Sequence, residues 1–203
     1  SRRQRQMCIR DRIFSLILSI PLAMIKITKN KILNFIGFLY TDIFRALPSL
    51  VQIYLVYFAA PQLFGITFTA MTSAFITLSM NAAAYISEAL RGGILSVDIG
   101  QREAAKALGI SQVDTLKDIV LPQALKAVFP SMINETIGLL KGTSLVSIIG
   151  VVDLMRASRQ VMADSYLSFE PLMVAAVIYY ILVKSMSMIG NRLEKRIRVS
   201  EIR

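Results

Sequence analysis

Asn134, Glu135 and Lys141 interrupt a long apolar run, residues 124–152. Ionisable groups at membrane depth are costly and usually face a bundle interior or a water-filled path. Six residues put Glu135 and Lys141 on different helix faces, about 9 Å apart along the axis, so they are not an i,i+4 pair. In a low-dielectric path, Glu135 offers the counter-charge that a cationic or zwitterionic solute needs. Asn134, Lys141, Ser144, Gln52 and Asn81 complete the polar groups expected along such a route. Gln52 and Asn81 equally suit hydrogen bonds between helices.

The same residues exclude most catalytic chemistry. There is no histidine and one cysteine, Cys8. That rules out a histidine-ligated metal, a Ser-His-Asp triad and a disulfide within one chain. The carboxylates form no evident acid/base pair. Lys141-Gly142-Thr143 has the residues of a phosphate loop in the wrong order, without its upstream glycine spacing. No catalytic residue, metal or cofactor is expected, and any ATP hydrolysis belongs to another polypeptide.

The elements that hold these groups are membrane helices. Of 203 residues, 55% are hydrophobic, too many for an ordinary soluble domain. A spanning helix needs about 20 predominantly apolar residues. Residues 66–87 and 171–190 meet this, the latter with Lys184 placed to reach the interface. Residues 124–152 are long enough, 43–60 give a fourth span, and 13–27 a short first one. The expected fold is all-α, a polytopic membrane helix bundle of about five spans with the first truncated.

Net charge is +10, from 23 Lys+Arg against 13 Asp+Glu. In a soluble protein this would suggest nucleic acid. Here the cations cluster between apolar spans, so no nucleic-acid partner is expected and membrane lipid is. Lys26, Lys29 and Lys31 fall in the first loop; Arg91, Arg102, Lys106 and Lys117 in the third; Arg192, Lys195, Arg196, Arg198 and Arg203 in the tail. The second loop has none, and the fourth sets Arg156 and Arg159 against Asp153, Asp164 and Glu170. Positive loops stay inside, so loops one and three and the C-terminus are expected in the cytoplasm. Residues 1–12 are polar and basic and switch abruptly to membrane sequence at Ile13. They are expected to be a non-native leader. Residues 13–191 are then the transmembrane domain and 192–203 a basic cytoplasmic tail.

The third loop has its own local code. Residues 101–108 are rich in helix formers, and Gly109 follows where a helix would stop. Ser111 sits three residues before Asp114, a capping pattern that starts a second helix at Gln112. Leu121-Pro122 is expected to end it. The small side chains of Ala104, Ala105 and Ala107 let another protein surface approach closely.

Glu103-Ala104-Ala105, then Gly109, then nine residues, then Ile119-Val120-Leu121-Pro122 resembles the cytoplasmic coupling loop of ABC-importer permeases. The loop as a whole is taken as residues 100–122. Tyr85-Ile-Ser-Glu88-Ala-Leu-Arg91-Gly92-Gly93-Ile94, with Gly100-Gln101 just before the loop motif, resembles the branch that carries polar amino acids. So do Leu121-Pro122-Gln123-Ala124, Asn134-Glu135, Lys141-Gly142-Thr143-Ser144-Leu145, and Phe44-Arg45-Ala46-Leu47-Pro48 with Gln52. Two positions depart from that pattern. Ile99 stands where a basic residue is usual, and Gly142 where an acidic one is.

The resemblance implies a permease subunit in a bacterial inner membrane, forming the path for a polar amino acid. Gly100, Gln101, Glu103, Ala104, Ala105, Gly109, Leu121 and Pro122 would engage ABC ATPase subunits. A second permease subunit, identical or similar, and an extracytoplasmic amino-acid-binding protein are the other implied partners. A permease for another small solute, or an ion-coupled secondary transporter, is the alternative.

Overall fold

A computed structural model describes residues 2–199, and side chains over residues 10–197. All regular structure among the described residues is helical. Helix α1 is Arg2–Ile27 and α2 is Lys31–Ala46. Asn30 caps α2, its side chain accepting from Ile32 and Leu33 N–H. Helix α3, Ser49–Phe64, turns 104° away from α2. Helix α4 is Ala70–Ser96, capped by the Thr69 hydroxyl. Helix α5 is the short Ile99–Ala107. A continuous rod, α6, runs Gln112–Ile149, and α7 is Leu154–Ser165. Helix α8 is Phe169–Val199.

The expected span over residues 43–60 is not one straight helix. Leu47 is extended (φ −80°, ψ 133°) and Pro48 follows it. Proline disfavours a helical residue before it and cannot donate an N–H, so the helix breaks there. The fourth loop contains α7, capped by Asp153.

Only Phe169–Ile197 is, alone, long and apolar enough to cross a membrane among the described residues. The bent pairs Lys31–Ala46 with Ser49–Phe64, and Gln112–Ile149 with Leu154–Ser165, raise the number to three. Length and hydropathy alone therefore do not confirm the expected count of about five. Helix α4 explains part of the gap. It lies at the centre, against α1, α2 and α6. Ser73, Thr77 and Ser79 are buried in it rather than set toward lipid, so it need not be uniformly apolar.

Three buried clusters follow α4 along its length. Ala74 and Leu78 pack with Ile53, Val146, Ile149 and Val151. Ala82, Ile86 and Leu90 pack with Ala23 and Val128. Ile94 and Val97 pack with Val120 and Ala124. At the third level the helices touch backbone to side chain. A Cβ added at Gly93 would overlap Val128 and stand 2.9 Å from the Ala124 carbonyl oxygen, while one at neighbouring Gly92 would meet nothing within 4 Å. Alanine otherwise favours a helix over glycine by about 0.5–1 kcal/mol. Gly92→Ala is therefore expected to raise the melting temperature of the detergent-solubilised protein slightly and Gly93→Ala to lower it. Equal shifts of one sign would disprove the close crossing of α4 and α6.

Candidate coupling elbow and membrane cavity

The elbow is built by local chemistry. Asp98 caps α5, its Oδ1 accepting the Gly100 N–H at 2.6 Å. At the other end Gly109 has φ +74°, the left-handed conformation that glycine adopts most easily. Ile110 N–H donates to Ala105 O at 3.0 Å and Gly109 N–H to Lys106 O at 3.1 Å. These are the paired bonds of a Schellman stop. Ser111 Oγ then accepts the Asp114 N–H at 3.1 Å, starting α6 at the residue expected.

The second helix does not end at Pro122. A π turn, Thr115–Val120, passes directly into Leu121–Gly142. Leu121 N–H bonds five residues back to Leu116 O. That shift of the carbonyl ladder lets the proline enter at the first turn of the following α segment, where its missing N–H is harmless. The elbow is thus rigidly continuous with α6. It is also tied to α4, because Arg102 Nη2 donates to Ile94 O at 2.6 Å.

Of the expected coupling residues, Gly100, Gln101, Glu103, Ala104, Gly109, Leu121 and Pro122 are exposed. Ala105 instead turns inward, 1% exposed. Around them Ile99, Leu108 and Val113 stand more than two-thirds exposed, at 71%, 78% and 73%. Large apolar side chains clustered on one surface mark an interaction site.

Glu135 is half-buried. It lines a cavity of about 330 Å³ between α1, α4, α6 and α8, with Arg12, Phe129, Met132, Thr136 and Met186 among its neighbours. Lys141 is exposed and makes no ion pair with Glu135 among the described residues. Asn134 is exposed and outside the cavity lining. Ser144 Oγ is occupied by Lys141 O at 2.7 Å.

Gln52 and Asn81 meet at the α2–α3 break. Gln52 Nε2 donates to Phe44 O at 2.9 Å and Leu47 O at 2.8 Å. Asn81 Nδ2 donates to Phe44 O at 3.0 Å and Gln52 Oε1 at 3.2 Å. The carbonyls freed where the helix breaks are thereby satisfied, which is the interhelical role.

One constellation was not read from the sequence. Glu88 gathers three cations: Lys26 Nζ at 2.6 Å, Arg91 Nη2 at 3.0 Å and Arg45 Nη1 at 3.9 Å. Lys26 also donates to Ser87 Oγ at 3.0 Å, and its side chain is fully buried. Arg45 lies over the Tyr85 ring and Arg91 over Phe38. Lys26 and Arg91, expected in loops, sit inside α1 and α4. The Glu88–Arg91 spacing was visible, but Lys26 lies 62 residues from Glu88, and only the packing of α1 on α4 brings them together.

This helical bundle with a rigid, exposed elbow defines the membrane component of a transport system. The chain belongs to the family described as binding-protein-dependent transport system inner membrane component, which matches residues 15–199. It is 45% identical over 188 residues to GlnP of Rickettsia bellii, named as a glutamine transport system permease protein, covering 93% of this chain and 86% of that one. It is 41% identical over 189 residues to the arginine transport system permease protein ArtQ of Bacillus subtilis, with the same coverage. A solved amino acid ABC transporter with histidines superposes with a TM-score of 0.89 at 31% identity, covering 94% of this chain and 89% of that one. The inward-facing MetNI methionine ABC transporter, at 19% identity, shares the fold, with a TM-score of 0.81 over 96% and 93% of the two chains. The protein is a permease subunit of an ABC importer, an inner-membrane channel component rather than an enzyme.

Proposed function

We propose that the chain carries a polar amino acid across the inner membrane, paired with a second permease and driven by ATPase subunits that dock on the elbow. The observation that carries this reading is the elbow itself. Its outer surface exposes Glu103, Ile99, Leu108 and Val113, while Arg102 and the continuous α6 tie it to the bundle. Such a part receives a push and passes it on. ATP-driven closure of the ATPases moves the elbow, and α4 and α6 move with it. Energetically, the ATPase drives the change only by binding the two states with different affinity.

Positive charge around the first and third loops and in the tail supports a cytoplasmic elbow and C-terminus. The glutamine and arginine names of the relatives support a polar amino-acid substrate. Glu135 supplies the counter-charge along the route, in the lining of the cavity between α1, α4, α6 and α8. Gln52 and Asn81 hold the α2–α3 bend, a supporting part rather than a contact with the solute.

The test is a pull-down from native membranes. A stoichiometric ATPase subunit should co-purify with the wild-type chain and be lost when Glu103 and Gly109 are replaced together. Absence of any ATPase under conditions that preserve membrane complexes would defeat the reading. Glu135→Gln should leave assembly intact and change uptake most for cationic amino acids, by roughly tenfold if the charge is worth about 1.4 kcal/mol in the path. Identical kinetics across cationic and neutral amino acids would remove Glu135 from the route.

A further inference from the structure

The end of α6 and the start of α7 place two arginines on one surface. Arg159 Nη2 donates to Ser147 Oγ in the final turn of α6. Gly150 follows with φ +92°, and a Cβ there would come 2.9 Å from Arg156 Nη1. The Arg156 guanidinium therefore lies over a turn that is bare because it is glycine. Asp153 Oδ1 caps the Arg156 N–H at 2.8 Å, and the Asp153 side chain is buried away from the surface. Ser147, Arg156, Arg159 and Gln160 line a single open cleft of about 370 Å³.

No carboxylate lines this cleft. Neither arginine makes an ion pair among the described residues, although Asp153, Asp164 and Glu170 share their loop. In the orientation proposed above, this loop faces outward. Cations outside run against the bias that holds the other basic loops inside. Two guanidiniums held by a hydroxyl and a bare turn suit a carboxylate, which the guanidinium fork binds with paired hydrogen bonds.

We propose that Arg156 and Arg159 receive acidic side chains of the extracytoplasmic binding protein. The assignment rests on the importer reading and its orientation, and the family description itself supplies a binding protein as partner. A free amino acid fits less well. Its ammonium would enter a cleft lined by two cations and no carboxylate, whereas a glutamate or aspartate side chain brings only the matching charge. Complementary charge of this kind sets the encounter rate and the salt dependence of docking.

The experiment uses the complete transporter in lipid discs, with its ATPase and binding protein. It measures the binding-protein concentration that half-maximally stimulates ATP hydrolysis, over a range of salt. In the wild type that concentration should rise with salt, as screening of exposed charges requires. The double variant Arg156→Gln with Arg159→Gln should raise it about tenfold at low salt and flatten the salt dependence. Arg156→Gln alone leaves the Ser147 bond in place, so a partial shift is expected even if the double variant folds poorly. A half-maximal concentration within about twofold of wild type, with an unchanged salt slope, overturns the proposal. Weakened binding of radiolabelled amino acid to the transporter without binding protein, with unaltered stimulation by it, also overturns it, assigning the carboxylate to the solute. A wild type that no binding protein stimulates would defeat the importer reading as well, and the docking cleft with it.

Discussion

Glu88→Ala is expected to lower the melting temperature of the detergent-solubilised transporter by about 10 °C, from a loss of about 3–5 kcal/mol. Glu88 is the sole carboxylate among three cations, and the Lys26 ammonium 2.6 Å away has no exposed side-chain surface. Removing Glu88 leaves that ammonium with only Ser87 Oγ and the face of the Phe38 ring. A buried charge stripped of its partner costs more than the pair ever contributed, because desolvation is no longer offset. Lys26→Met should cost less, since methionine keeps an apolar stem where the lysine chain packs over Gly37. In the Lys26→Met background, Glu88→Ala should lose a large part of its effect, a coupling that a double-mutant cycle reads directly. Additive losses, or a Glu88→Ala shift below about 2 °C, would show the cluster to be a solvated surface feature.

That cluster marks the boundary of what the sequence could disclose. Caps and stops are local, so Gly109 and Ser111 announced the elbow from their own chemistry, and both sit where their types imply. The break before Pro48 was just as local: the Leu47-Pro48 step was present in the sequence but was read through. Pro122 misled for the opposite reason. A π turn is a change of hydrogen-bond register, not a residue preference, and no residue type in Thr115–Val120 announces it. The Glu88 cluster and the Gln52–Asn81 pair depend on helices distant in sequence being packed side by side. The span expected over residues 66–87 falls largely within α4, although α4 alone is not apolar enough to stand as a lipid-facing helix. Hydropathy treats every span as if it faced lipid, and α4 faces other helices along most of its length.

Gly109→Val is expected to separate ATP hydrolysis from uptake, with amino-acid transport reduced at least tenfold in proteoliposomes while the protein inserts and assembles. A side chain in the left-handed region costs about 1–2 kcal/mol, and Gly109 holds φ +74°. Nothing lies within 4 Å of where its Cβ would be, so the strain is purely conformational and falls on the turn between α5 and α6. A loss of that size is on the order of a tenfold change in the equilibrium constant for forming the native elbow. Asparagine adopts this conformation far more readily than valine, so Gly109→Asn should retain most of the uptake. If asparagine and valine impair transport equally, the bulk of any side chain at the ATPase surface is responsible, and the geometry of the turn is not. Glu103→Ala completes the argument from the other direction. Glu103 is exposed and holds no ion pair among the described residues, so its loss should change stability by no more than about 0.5 kcal/mol. Uptake that falls sharply in a variant of normal stability places the role of Glu103 in the contact with the partner. Uptake at the wild-type rate would take the elbow out of the coupling mechanism.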